Sequence, residues 1–174
     1  MKNGFTIIEL IVVMAIMGIM FAVTIPQYSK IRDSKALSLG EEQIINDIRM
    51  VQNYAYSILK NDGSFPVGGY GINFSNNSKE YIIFADKNGN MEYDGAIEIF
   101  EKIELPRNVK IVSLKINSIE KADGIVGIVF TSPYGKVFID KNNKITESFI
   151  DLEIVIGNDS GTRTINTSSS RMVN

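Results

Sequence analysis

The 174-residue sequence contains no cysteine, no histidine and no tryptophan. Histidine is the usual proton carrier near neutral pH, and cysteine provides the thiolate nucleophile and, together with histidine, most zinc and iron ligands. An enzyme would therefore depend on carboxylates, hydroxyls, lysine or tyrosine. The spacing of the acidic residues indicates no pair of carboxyls of the kind that glycoside hydrolysis requires. We expect a protein that is not an enzyme.

The chain also lacks an excess of positive charge. It has 18 Lys and Arg residues against 20 Asp and Glu residues, a net charge of −2. Binding of nucleic acid through its phosphates needs clustered cations, so DNA is not an expected partner. The absence of cysteine leaves the compartment open, because exported proteins often contain disulfides but need not.

What the sequence does have is one long apolar run near its N-terminus. Residues 5–25 are interrupted only by Thr6, Glu9, Gly18 and Thr24. As a helix, these 21 residues extend about 31 Å, which matches the hydrocarbon thickness of a bilayer. A removed signal peptide is one alternative, but the run exceeds the usual ~7–15 apolar residues and contains a carboxylate. A plain uncleaved membrane anchor is another.

The start of this run places glycine, aromatic, hydroxyl and glutamate residues in one register. It reads Gly4-Phe5-Thr6-Ile7-Ile8-Glu9-Leu10, and the run closes with Ile25-Pro26-Gln27-Tyr28. The pattern resembles the N-terminus of type IV pilins and type II secretion pseudopilins. The resemblance implies that a prepilin peptidase cuts between Gly4 and Phe5 on the cytoplasmic side and methylates the new amino terminus. It also implies that the apolar helix stays in the mature protein.

The same resemblance implies partners and a location. The partners would be the peptidase, other pilin or pseudopilin subunits, an inner-membrane assembly platform and the lipid bilayer. The chain would cross the cytoplasmic membrane once, with its C-terminal domain extracytoplasmic, before it enters a pilus or pseudopilus. The residues that would serve assembly are Thr6, Glu9, Gly18 and Pro26.

Glu9 is a costly residue in an apolar helix. A lone carboxylate costs about 2.5–3.5 kcal/mol near the membrane centre and less near an end. Cleavage would create a cationic amine at Phe5, one helical turn away, and the amine of a neighbouring subunit could pair with Glu9 as helices bundle. The alternative is that Glu9 only complements the positive N-terminal end of the helix dipole.

Two residues weaken the second half of the run. Pro26 removes the hydrogen bond to the Ala22 carbonyl, which costs about 3 kcal/mol in a helix interior, although water can satisfy that carbonyl at the outer interface. Together with Gly18 it makes residues 18–26 the weakest part of the predicted helix. In filaments of the resembled family this region can extend, and a simple kink is the alternative.

An apolar stripe predicts that the helix continues beyond the membrane. The stripe consists of Leu37, Ile44, Ile48, Val51, Ala55 and Ile58. Asn61-Asp62-Gly63 predicts a stop, so the helix would run from Phe5 to about Leu59, roughly 82 Å, and half of it must protrude from the rest of the protein. We divide the chain into a leader (1–4), a transmembrane and assembly half of the helix (5–29), an amphipathic half (30–62) and a β-rich head (63–174).

Short β-rich segments alternate with turn residues after Gly63. The predicted strands cover residues 71–74, 81–85, 96–103, 109–116, 125–131, 136–140, 152–156 and 163–166. Residues 109–114 alternate only weakly, which is typical of a sheet packed on a helix. The predicted fold is α+β and pilin-like, with the second half of a long N-terminal helix packed against antiparallel sheets.

The β region resembles, with lower specificity, the H-type minor pseudopilins and related minor pilins of type IV pilus systems. The segments that carry this resemblance are residues 69–72, 81–90 and 128–135. It implies two sheets beside the C-terminal half of the helix and a non-catalytic minor subunit. The alternatives are a major pilin and, in another class, a membrane-anchored extracytoplasmic hydrolase or a plain binding domain.

One turn has the oxygen spacing of a calcium loop. Asp86, Asn88, Asn90 and Asp94 place side-chain oxygens at alternate positions, as hard cations require. Met91 stands where an EF-hand needs glycine, and the Asn-Gly pair within the turn alone explains a tight turn. We expect no cofactor, with calcium as the alternative.

Two arginines are the candidates for DNA contact. Some minor pilins of the resembled group bind DNA through arginines near the C-terminus, and Arg163 and Arg171 occupy that part of this chain. No second arginine lies close to Arg171, so DNA binding is not the expected function.

Overall fold

The computed structural model describes residues 4–61, 63–131, 136–140 and 150–168. Helix α1 (Ile7–Tyr56) precedes nine strands in these ranges: β1 (Gly69–Ser75), β2 (Glu80–Asp86), β3 (Ile99–Glu104), β4 (Lys110–Ile116), β5 (Ile119–Glu120), β6 (Ile125–Phe130), β7 (Val137–Ile139), β8 (Asp151–Asn158) and β9 (Gly161–Ser168). The strands form two antiparallel sheets, ordered β3-β2-β1-β6-β7 and β5-β4-β8-β9. The helix packs on both sheets, so the predicted α+β pilin-like fold is confirmed.

The second half of α1 carries most of the predicted stripe into the core. Five members are at most 6% exposed and share one apolar cluster with both sheets: Leu37, Ile44, Ile48, Val51 and Ala55. Gly40 lies on the same side, where a Cβ would be only 3.4 Å from side-chain atoms of Val109 and Ile156. The absence of a side chain at this position lets the helix approach the second sheet closely.

The prediction that Ile58 belongs to the stripe was wrong, because the helix ends before this residue. The Ile58 N–H donates to the Ala55 carbonyl (3.3 Å) and the Leu59 N–H to the Tyr54 carbonyl (3.2 Å), which is the Schellman pattern of a helix end. Ile58 itself takes a left-handed backbone conformation (φ 51°) and is 42% exposed. The stop therefore occurs before the predicted Asn61-Asp62-Gly63 signal.

Every predicted strand overlaps an observed one, with two corrections. Strand β5 was missed, because Asn117 and Ser118, with φ of 50° and 66°, connect it to β4 through a two-residue hairpin turn. Residues 96–98 were predicted as strand and form a turn instead, in which the Glu98 N–H donates to the Gly95 carbonyl (3.1 Å).

The weak alternation of residues 109–114 has a structural cause. The β4–β8 register shifts between Ile111 and Ser113, as it does at a β-bulge. Val109 and Ile111 are buried before the shift, and Leu114 and Ile116 are buried after it. One extra residue moves the buried positions from odd to even numbers, so no single alternation holds along the strand.

The first half of α1 stands outside the head. The β8–β9 hairpin meets the helix through the Asn158 side-chain amide, which donates to the Asp33 carbonyl (2.7 Å). All residues from 4 to 24 are exposed in the single chain. The head thus begins near Asp33, and the apolar run protrudes from it.

Candidate functional site at the N-terminus of the helix

Thr6 and Glu9 form a reciprocal cap where α1 begins. Thr6 is the N-cap residue, and its hydroxyl oxygen accepts a hydrogen bond from the Glu9 N–H (3.3 Å). Glu9 Oε2 in turn accepts from the Thr6 N–H (2.9 Å) and from the Thr6 hydroxyl (3.0 Å). This capping box satisfies backbone donors that the first helical turn leaves without partners.

The cap gives Glu9 a local role that our sequence reasoning missed. The signal was present, because Thr6-Ile7-Ile8-Glu9 has the hydroxyl and glutamate spacing of a capping box immediately before an apolar run. Both hydrogen bonds to the Glu9 carboxylate end on Oε2, and within the described part of the chain Oε1 accepts none. Glu9 therefore caps its own helix through Oε2, while Oε1 remains available to a further donor.

Gly4 and Phe5 lie just outside the helix. Both precede Ile7, where α1 begins, and Phe5 is 87% exposed. A Cβ added at Gly4 would meet no atom within 4 Å. The two residues on either side of the predicted cut are thus accessible and free of helical structure, as a peptide that enters a protease cleft must be.

The apolar surface that follows packs against no other part of the described structure. The span of α1 that is long and apolar enough to cross a membrane has none of its residues buried. The exposed side chains include Ile8, Ile11, Met14, Ile19 and Phe21. Monomeric soluble proteins rarely expose contiguous apolar patches of more than a few hundred Å², so this surface indicates a membrane or a protein partner.

Residues 1–25 match the family model of the prokaryotic N-terminal methylation motif. This match supports a type IV pilin-like family. The motif implies processing by prepilin peptidase and assembly with other pilins, and together with the exposed apolar helix it indicates membrane anchoring. Proteins that carry this motif are generally structural rather than catalytic. Neither a curated protein nor a solved structure matches the chain.

Gly18 and the segment up to residue 26 lie within unbroken helix. A Cβ at Gly18 would meet no atom within 4 Å, so nothing in the single chain requires glycine there. The Thr24 hydroxyl donates to the Met20 carbonyl (2.8 Å) in the turn before Pro26. Such back-bonding often bends a helix. The predicted weakness of residues 18–26 therefore remains a prediction.

The candidate calcium turn is closed by its own hydrogen bonds. Asp86 is fully buried, and its two carboxylate oxygens accept from the Gly89 N–H (2.7 Å) and the Met91 N–H (2.8 Å). The side-chain amides of Asn88 and Asn90 both donate to Asp94 Oδ2, at 2.5 and 2.6 Å. Protein donors thus satisfy Asp86 and one oxygen of Asp94 without a metal, and calcium stays an untested alternative.

Glu98 belongs to the same turn and was not found from the sequence. It is 3% exposed, and its carboxylate accepts from the backbone N–H groups of Lys87 (3.1 Å) and Asp94 (3.0 Å). No cluster of three or more acidic residues suited to a metal occurs in the described ranges. No sequence pattern indicates this role for Glu98, which lies within the predicted strand 96–103.

Of the two arginines considered for DNA, Arg163 is the one within the described residues. Arg163 Nη1 lies 2.7 Å from Glu41 Oε2, an ion pair that ties β9 to α1. Arg171 lies outside the described residues. The contact explains Arg163 as a link between the helix and the second sheet.

Proposed function

We propose that this protein is a non-catalytic minor pilin or pseudopilin that prepilin peptidase cuts between Gly4 and Phe5 and methylates at Phe5. The observation that carries the proposal is the fully exposed apolar half of α1 directly after the methylation motif. Two sheets beside the second half of the helix agree with the resemblance to H-type minor pseudopilins. The subunit waits in the cytoplasmic membrane with its head outside.

Assembly then exchanges lipid for neighbouring helices around the apolar run. The apolar area stays buried in both states, so this transfer by itself favours neither strongly. Glu9 supplies a difference between them. Its Oε1 accepts a hydrogen bond from the charged Phe5 amine of a neighbouring subunit, while Oε2 keeps its hydrogen bonds with Thr6. A charge-assisted hydrogen bond of this kind contributes about 1.5–3 kcal/mol.

Mass spectrometry of the protein from its native host tests the processing step. The membrane-bound and assembled forms should both begin at Phe5 and carry one added methyl group. A variant with a bulky residue at the cut, Gly4→Val, should retain the leader. Assembled wild-type protein with its leader intact would contradict the proposal. A content in purified filaments equal to that of the most abundant subunit would assign the chain as a major pilin.

Two variants separate the local cap from the contact between subunits. Glu9→Ala removes both roles, whereas Thr6→Ala removes the two hydroxyl hydrogen bonds of the cap and leaves the carboxylate bonded to the backbone N–H of residue 6. We expect Glu9→Ala to insert into the membrane and to lose at least about tenfold in filament incorporation, from the hydrogen-bond energy above. Thr6→Ala should retain most incorporation. Equal losses in the two variants would show that Glu9 acts only through the helix cap.

A further inference from the structure

Four cations gather where α1 leaves the apolar run and meets the head. Lys30, Arg32 and Lys35 are exposed on the helix, and Arg107 is exposed on the loop between β3 and β4. Arg107 Nε lies 3.6 Å from Asp33 Oδ1, which brings the loop to the helix at this level. We call Lys30, Arg32, Lys35 and Arg107 the basic collar.

The basic collar stands out from the charge of the surrounding protein. Two carboxylates lie at its level, Asp33 on the helix and Asp159 in the β8–β9 turn, so the group has a net charge of +2. The remaining chain beyond residue 26 has 13 basic and 17 acidic residues. Positive charge is thus concentrated next to the apolar run, while the rest of the head is acidic.

Apolar side chains lie among the cations. One shallow groove is lined by Lys30, Ile31 and Lys35, and a second by Arg32, Leu39 and Arg107. Ile31 is 65% exposed and Leu39 is 47% exposed. Cations beside exposed aliphatic groups match an amphiphile that has an anionic head and an apolar body.

The basic collar begins at the height of a lipid headgroup layer and extends beyond it. At 1.5 Å per residue, Lys30 lies about 6 Å and Lys35 about 13 Å beyond Pro26, where the apolar run ends. The headgroup layer is roughly 5–8 Å thick on each side of a bilayer. Helical side chains lean toward the N-terminus, so these long cations extend back toward the membrane.

Tyr28 adds an aromatic anchor at the same interface. It lies within two residues of Lys30, and its ring is 5.7 Å from the Arg32 guanidinium carbon, which is a cation–π distance. Tyrosine is enriched at membrane–water interfaces because its ring is apolar and its hydroxyl polar. Along the chain, the apolar run is followed by the tyrosine ring and then by the cations, which is the order expected of a helix that leaves a bilayer.

We propose that the basic collar binds the phosphate groups of anionic phospholipids in the leaflet nearest the head and so holds the subunit upright in the membrane before assembly. This inference rests on the membrane-inserted subunit proposed above. Lipid phosphate is favoured over a free anion, because the cations surround exposed aliphatic groups and lie directly beyond the apolar run. It is favoured over an acidic protein because Lys30 lies at the height of the headgroup layer, and Tyr28, beside Arg32, is the kind of residue found at membrane–water interfaces.

Lysine acetylation of the full-length protein in lipid vesicles tests the proposal. The protein is reconstituted into phosphatidylcholine vesicles with or without phosphatidylglycerol, and acetylation rates are read by mass spectrometry. We expect Lys30 and Lys35 to react about fivefold more slowly in the anionic vesicles at low salt, from about 1 kcal/mol per cation. Molar salt should abolish the difference. Lys60, which follows the far end of the helix, should react equally in both.

Matched variants show whether the basic collar acts as a unit. Arg32→Gln removes one cation without disturbing the Asp33–Arg107 ion pair, and should reduce the protection of both lysines. Arg49→Gln neutralises an exposed cation higher on the same helix and should leave protection unchanged. Equal effects of the two variants would overturn the proposal, as would equal acetylation rates in the two kinds of vesicle.

The remaining outcomes identify other ligands for the same cations. Protection by inorganic phosphate in neutral vesicles would assign the site to a free anion and overturn lipid binding. Protection that rises with protein density in neutral vesicles would assign it to a neighbouring subunit, with the same consequence. Failure of the chain to insert into either vesicle would contradict the proposed function as well, whereas insertion without protection would contradict the basic collar alone.

Discussion

Replacing Ile44 with alanine tests whether the stripe on α1 holds the helix in the head. Ile44 is fully buried, in the same cluster as residues of both sheets. Truncation of a buried isoleucine to alanine costs about 2–5 kcal/mol, through lost burial and the cavity left behind. Leu39 lies on the same helix and is 47% exposed, so Leu39→Ala should cost less than about 1 kcal/mol.

Thermal unfolding of the full-length protein in detergent provides the assay. The near-UV circular dichroism signal of tyrosine reports on the head, because Tyr28 is the only one of the seven tyrosines that precedes Asp33, where the head begins. For a domain of this size, about 1 kcal/mol shifts Tm by roughly 3 °C, so Ile44→Ala should lower Tm by about 6–15 °C. Leu39→Ala should lower it by less than about 3 °C. Equal shifts for the two variants would refute the packing of this helix face.

Three further changes have expected outcomes. Ile48→Asp places an unpaired charge in the same seam and should cost several kcal/mol, measured by the same melt; an unchanged Tm would contradict its burial. The pKa of Tyr81 is raised above its usual value, first by burial and then by the hydrogen bond that its hydroxyl donates to the Asp47 carboxylate. The stability that the neutral Tyr81 side chain provides is therefore present below pH about 10 and is lost as the pH rises above it. In Tyr81→Phe the free energy of unfolding, measured by denaturant titration, should fall less at alkaline pH than in the wild type. Asp86→Asn replaces a side chain whose two oxygens accept from two backbone N–H groups, and should cost about 1–3 kcal/mol, measured by the same melt. Calcium should leave the wild-type Tm unchanged; a calcium-dependent rise would show a metal site.

The sequence predicted the elements whose signal is periodic. The helix, its stripe from Leu37 to Ala55 and the overlap of every predicted strand follow from apolar spacing, which burial enforces. Features that depend on backbone hydrogen bonds were missed. Ile58 adopts a left-handed conformation that a β-branched residue rarely takes, so no residue preference marked the end of the helix there.

The candidate site shows the same division. Gly4, Phe5 and Glu9 are predicted site residues because their order matches a motif, whereas the Thr6–Glu9 cap was missed although its spacing lies in the same segment. Glu98 could not be found, because a buried glutamate that accepts two backbone N–H bonds has no pattern of its own in the sequence. The basic collar joins three helical residues to Arg107 of a distant loop, and only the fold shows that proximity.

The contacts between the β8–β9 hairpin and the helix determine when this protein can finish folding. Asn158 bonds to Asp33 across 125 residues of sequence, and Arg163 bonds to Glu41 across 122. The central strands of the second sheet thus wait for a segment synthesised long after the helix, and contacts of this range form slowly. At that stage the helix is complete, while the edge of β4 that pairs with β8 is still open. A chain arrested before Asp151, where β8 begins, would expose that edge to other strands and be prone to aggregation.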